Sequence, residues 1–93
     1  MIRVAICDDH EMVREALAGV IAREEGVEVI GATDTMASTM ELITATEPDV
    51  LVVDVRLREE SGLDVARSVV AKYPKTKIVV LTSFNSDEAL VQA

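Results

Sequence analysis

Apolar and polar residues follow two different periods along this chain, and the two periods alternate. Residues 2–7, Ile-Arg-Val-Ala-Ile-Cys, are apolar apart from Arg3 and read as the first strand. From about His10 to Glu24, Val13, Ala16, Leu17, Val20 and Ile21 recur at helical spacing, with Arg14, Glu15, Arg23 and Glu24 on the wet side. Asp8 or Asp9 is placed to cap this helix, and Gly26 to end it. Residues 27–32 alternate only in part, and their one charge and one glycine predict an edge strand. A weaker helix spans about Thr35 to Thr46, with Met36, Met40 and Ile43 on one side. Its threonines lower its propensity, and Glu47-Pro48 stops it.

The next strand, residues 49–53, runs directly into Asp54. A charged loop follows, and then a helix from about Gly62 to Tyr73, with Leu63, Ala66, Val69, Val70 and Tyr73 inward and Pro74 closing it. Residues 76–81 read as the fourth strand, with Thr82 and Ser83 at its carboxyl end. Asn85 or Ser86 caps a last helix that has barely begun at Ala93. The chain is thus a strand and a helix repeated four times. That is an α/β domain with parallel strands and right-handed crossovers, occupying residues 1–93. The expected strand order is 2-1-3-4, with 27–32 at one border and 2–7 and 49–53 central. The fourth strand, Ile78 to Leu81, would be the other border, long and apolar. Such an edge predicts a homodimer or higher self-association through that strand or the last helix.

Composition narrows the function. The chain has 93 residues and carries 9 Lys and Arg against 17 Asp and Glu, a formal charge of −8. Phosphate backbones demand clustered Lys and Arg, so these residues are not themselves a nucleic-acid surface. An acidic balance suits a site that attracts a divalent cation. Aromatics are scarce, so Val, Ile, Leu, Ala and Met must build the core. The single Cys7 lies within a strand and reads as a buried thiol, which points to a reducing compartment. No apolar run reaches 18 residues and the N-terminus has no signal-peptide pattern, so a cytoplasmic protein with no membrane association is expected.

Two strands end in carboxylates: Asp8 and Asp9 after the first, Asp54 after the third. In open α/β sheets, ligands bind at the carboxyl ends of the strands. Three carboxylates in one crevice repel each other unless a cation neutralises them, and Mg²⁺ suits such hard oxygen donors. A carboxylate beside Mg²⁺ can attack a phosphoryl group, and a hydroxyl such as Thr82 could bond a phosphoryl oxygen. The plainer alternatives are that Asp8 and Asp9 are helix caps and that Thr82 is a turn residue.

Taken together, Cys7-Asp8-Asp9-His10 with Val13-Arg14, Pro48-Asp49-Val50 leading to Asp54, Gly62, and Leu81-Thr82-Ser83 resemble the receiver domain of bacterial two-component response regulators. The stretches Asp8 to Arg14 and Leu81-Thr82-Ser83-Phe84 are similar to the NarL/FixJ (LuxR-type) subfamily, whose members carry a C-terminal helix-turn-helix DNA-binding domain. The resemblance covers the whole chain. It implies an open, flavodoxin-like (CheY-like) parallel sheet, here a (βα)4 remnant of a (βα)5 fold. It also implies that Asp54 takes a phosphoryl group from a sensor histidine kinase. Asp8, Asp9, Asp54 and the backbone carbonyl of Arg56 would hold Mg²⁺, and Thr82 would be the switch hydroxyl. DNA would be met only through the C-terminal domain, which is absent here. Two departures stand out. Arg58 replaces a usual proline, and the family's fifth strand, fifth helix and phosphate-contacting lysine find no match, since Lys72, Lys75 and Lys77 all precede Thr82.

The leading expectation is therefore a phosphoryl-accepting receiver that controls transcription and is not an enzyme. The alternative is a receiver-fold interaction or dimerisation module that takes no phosphate. A Mg²⁺-dependent phosphohydrolase of the haloacid-dehalogenase type fits less well, because such enzymes use Asp-x-Asp and the aspartates here are adjacent.

Overall fold

The structure, a computed structural model, describes residues 1–55, 57 and 61–81, and the backbone of 90–92. The elements run β1 (Ile2–Cys7), α1 (Glu11–Ala22), β2 (Val27–Thr33), α2 (Met36–Thr46), β3 (Val50–Asp54), α3 (Gly62–Lys72), β4 (Lys77–Leu81) and β5 (Leu90–Gln92). The sheet order is β2-β1-β3-β4-β5. The first four strands are parallel in the expected order 2-1-3-4, with β2 at a border and β1 and β3 inside.

The central strands β1 and β3 are apolar on both faces because both faces are covered. Val4, Ile6 and Val52 pack beneath Leu17, Ala18 and Ile21 of α1. On the other face, Ala5, Cys7, Leu51, Val53, Ile78 and Val80 meet Ile43 of α2 and Val65, Ala66 and Val69 of α3. Each such fully buried aliphatic side chain contributes about 1.5–3 kcal/mol. Cys7 is buried and forms no disulfide, as expected.

Four details correct the sequence reading. First, α1 packs Leu17, Ala18 and Ile21 against the sheet, half-buried, and leaves Val13 and Val20 exposed, with Arg14 half-buried. This helix has apolar residues on more than one stripe, and periodicity alone cannot choose between them. Secondly, α3 buries Val65 beside Ala66 and Val69 while Leu63 and Val70 face solvent, for the same reason. Thirdly, α1 ends at Ala22 with Arg23 as its C-cap. Gly26 (φ 83°) serves instead in the following turn, where its carbonyl accepts from Ile2 N–H. Finally, Leu90–Gln92, expected in a last helix, form a strand antiparallel to β4. The chain between Leu81 and Leu90 is shorter than the roughly dozen residues a parallel return needs, so only an antiparallel strand can pair there. Val79, Val80 and Leu81 are consequently paired with β5, and β4 is not the open border expected. The rest of the last helix, residues 85–89 and Ala93, lies outside the described residues.

Local chemistry ends the remaining elements. Thr35 and Ser38 form a reciprocal capping box at the start of α2. Glu47 ends α2 in a left-handed conformation (φ 44°) just before Pro48. Ser61 caps α3 by accepting from Leu63 N–H. Among the described residues, no helix is long and apolar enough to cross a membrane.

Candidate functional site

Parallel pairing brings the carboxyl ends of β1 and β3 side by side, with Cys7 opposite Val53. The next residue on each strand is an aspartate, so Asp8 and Asp54 emerge together, with Asp9 following. The sheet order reverses between these two strands, which is where such sheets form a crevice. Asp8 is 1% exposed and Asp54 3%. One side-chain donor atom from each of Asp8, Asp9, His10 and Asp54 fits within a cluster in which all lie within 4.8 Å of one another.

The frame around Asp8 is fixed by backbone. Its N–H donates to Thr33 O at 2.9 Å, and its own carbonyl accepts from Arg14 Nη1 at 2.8 Å. Its Oδ1 accepts from His10 N–H at 2.8 Å, an Asx-type turn. The N-cap of α1 is therefore His10, not Asp8 or Asp9 as expected, and the His10 side chain makes no capping bond. Instead, His10 Nδ1 lies 3.0 Å from Asp9 Oδ1 and 3.4 Å from Asp8 Oδ1.

Asp54 is held differently. The next residue, Val55, donates its N–H to Leu81 O and accepts from Gly62 N–H, both at 2.9 Å. Gly62 touches the Asp54 backbone so closely that a Cβ there would lie 1.9 Å from Asp54 O and 2.7 Å from Asp54 C. Only glycine permits that approach. Through this contact the first residue of α3 rests on the strand end that carries Asp54.

The structure thus gathers Asp8, Asp9 and Asp54. Thr82 and Arg56, named with them from the sequence, lie outside the described residues, as does Arg58. Sequence reasoning assigned Arg14 to the wet side, and nothing in its spacing told of the Asp8 carbonyl. It saw the α2 threonines only as poor helix formers. Thr39 is buried, with its hydroxyl 2.7 Å from the Thr33 hydroxyl and donating to Thr35 O at 2.6 Å. Thr33 in turn donates to Ile6 O at 3.3 Å, tying α2 and β2 to the end of β1. Gly62 was visible as part of a motif, but its contact with Asp54 was not.

Three carboxylates and an imidazole in one crevice form a donor set for a divalent cation. Comparison with known proteins agrees with this architecture. The response regulator receiver domain family matches residues 4–93. The DNA-binding transcriptional activator DevR/DosR of Mycobacterium tuberculosis is 36% identical over 93 residues, covering 100% of this chain and 43% of that protein. The transcriptional regulatory protein LiaR of Bacillus subtilis is 35% identical over 88 residues, covering 95% of this chain and 42% of that protein. A solved DNA-binding response regulator of the LuxR family from Staphylococcus aureus superimposes with a TM-score of 0.82 at 25% identity, covering 94% of this chain and 72% of that one. The chain spans less than half the length of these two curated relatives. By the match over nearly its whole length, its strand order and its paired acidic strand ends, the chain belongs to the response regulator receiver domain family.

Proposed function

We propose that this receiver takes a phosphoryl group onto Asp54 from a sensor histidine kinase, and that the parent protein uses the change to control transcription through a DNA-binding unit. The observation that carries the reading is the convergence of Asp8, Asp9 and Asp54 at the ends of adjacent strands in a chain of this family. Their carboxylate oxygens fit Mg²⁺, with the Arg56 carbonyl as a further donor. When bound, the ion neutralises phosphoryl oxygens and so lets an anionic nucleophile approach an anionic donor.

In the transfer, an Asp54 carboxylate oxygen attacks the phosphorus of a phosphohistidine. The new O–P bond forms as the P–N bond breaks, and the electron pair returns to the imidazole nitrogen. Gly62 and the Val55–Leu81 bond keep the nucleophile's backbone fixed during attack. The product carries about −1.5 to −2 charge in phosphate oxygens. Thr82, which follows Leu81, is the hydroxyl proposed to respond. The Val55–Leu81 hydrogen bond couples its strand end to that of Asp54. The site is used stoichiometrically, as befits a regulator.

The test is transfer of labelled phosphate from a phosphorylated kinase or a small acyl phosphate in the presence of Mg²⁺. Wild type is expected to gain a hydroxylamine-labile label and Asp54→Asn to gain none. A label that persists in Asp54→Asn overturns the assignment. An unlabelled, folded wild type favours the phosphate-independent interaction module.

A further inference from the structure

We propose that Arg14 is a positioning residue for phosphoryl transfer: by holding the Asp8 carbonyl it fixes the peptide that joins Asp8 to Asp9, and with it the two carboxylates that take Mg²⁺. This rests on the reading of Asp8, Asp9 and Asp54 as a Mg²⁺ site, and it adds what keeps two of the ligands in place.

β1 delivers Asp8 but does not by itself place Asp9. The strand ends at Cys7, and Asp8 N–H still donates to Thr33 O of β2 at 2.9 Å. From there the chain turns away toward α1, so the sheet stops setting its direction. The peptide unit between Asp8 and Asp9 is planar. Its orientation therefore sets ψ of Asp8 and φ of Asp9 together, and rotating it swings one carboxylate relative to the other. Arg14 Nη1 donates to the oxygen of that peptide, Asp8 O, at 2.8 Å. The backbone N–H of the same residue donates to His10 O at 2.8 Å. Arg14 thus grips the turn Asp8-Asp9-His10 at both ends, and Asp8 Oδ1 accepts from His10 N–H within it.

The needs of α1 do not account for this placement. Arg14 stands in the opening turn and a bit of a helix that begins at Glu11, where the positive end of the macrodipole opposes a cation. Its guanidinium is always charged and its side chain is half-buried. A fixed positive charge is also a poor neighbour for a bound cation, since like charges repel. Losing the charge would by itself tighten Mg²⁺ binding, whereas losing the hydrogen bond frees the peptide and weakens it. The two effects have opposite signs. A partner that orients a metal ligand without touching the ion is worth about 10–100-fold in affinity. The through-space effect of one half-solvated charge is screened at physiological ionic strength, so the bond is expected to prevail.

Mg²⁺ titration of the whole chain followed by NMR tests this, together with Asp54 labelling by a small acyl phosphate that needs no docking partner. Wild type, Arg14→Met and Arg14→Gln are compared. In folded Arg14→Met the Mg²⁺ midpoint is expected to rise about tenfold, and the Asp8 carbonyl ¹³C resonance to move as its hydrogen bond is lost. Labelling is expected to fall at limiting Mg²⁺ and to approach wild type once the site is saturated. A general loss of stability would instead lower labelling at every Mg²⁺ concentration and leave the midpoint in place. Arg14→Gln, whose shorter side chain does not reach the carbonyl, is expected to match, and it carries the test should Arg14→Met not fold. An unchanged or lower Mg²⁺ midpoint in the folded variants overturns the inference while the carboxylate site stands. Wild type that binds no Mg²⁺, or takes no label at Asp54, overturns the reading of the site itself, and the inference falls with it.

Discussion

Asp49 and Asp54 flank the same strand, yet they are used in opposite ways. At the amino end of β3, Asp49 is compensated. Its Oδ2 accepts from Arg3 N–H at 2.8 Å and its own N–H donates to Arg3 O at 2.9 Å. The Arg3 guanidinium closes the same end by donating to Thr46 O and Glu47 O, and the Thr76 hydroxyl donates to Pro48 O at 2.9 Å. At the carboxyl end, Asp54 is gathered with Asp8 and Asp9, so like charges are brought together rather than apart. A carboxylate compensated by neighbouring donors holds β1 to β3. Carboxylates collected against their mutual repulsion raise the energy of the ion-free fold, and a bound cation would recover that energy. The contrast between the two ends separates framework from site.

Four substitutions sharpen or break this contrast. The largest effect is expected from Gly62→Ala. Its Cβ would collide with backbone that has no flexible side chain to yield, so a loss of about 3 kcal/mol or more in urea unfolding is expected. Phosphate labelling at Asp54 should fall with it, and a variant of wild-type stability would show that α3 does not rest on the nucleophile as described. Asp49→Ala comes next. Removing one exposed but backbone-directed acceptor should cost about 1 kcal/mol and leave labelling intact. Lost labelling in a folded Asp49→Ala protein would break the separation of framework from site.

Asp9→Asn should act in the opposite sense to Asp49→Ala. In chelator-treated buffer it relieves like-charge repulsion and is expected to stabilise by about 1 kcal/mol. With saturating Mg²⁺ the order should reverse, because wild type gains binding energy that the variant lacks. Thermal melts with and without the ion give both signs, and a variant that melts below wild type under both conditions refutes a repulsive cluster. The smallest effect belongs to Glu47→Gly. A left-handed C-cap favours glycine, so the melt should show a gain of about 0.5–1 kcal/mol and labelling should not change. A destabilised variant would mean that Glu47 contributes a contact worth more than its conformational strain.

How much of this was legible in the sequence differs element by element. The four-residue apolar run of β1, Val4 to Cys7, and the run into Asp54 were readable because a strand buried on both faces needs no periodic choice. Pro48 marked the end of α2 because its ring acts on its own neighbour. Helix faces were harder. Val13 and Val20 are as apolar as Leu17 and Ile21, and only the position of Val4, Ile6 and Val52 decides which pair packs on the sheet. Leu90–Gln92 reads locally as helix, but the open edge of β4 offers partners for its backbone, and no local preference competes with that.

The sequence alone determined that aspartates follow two buried strands, that helices alternate with those strands, and hence that carboxylates stand at one end of a parallel sheet. These are local matters of residue type and spacing. Only the tertiary structure decided that the strands are neighbours in register, so that Asp8, Asp9 and Asp54 converge with His10 turned toward them. It alone decided that Gly62 closes on Asp54 and that Arg14 holds the Asp8 carbonyl. Those contacts join residues far apart in the chain or turn on the direction of one side chain. They are set by which surfaces pack together, which no window of sequence contains.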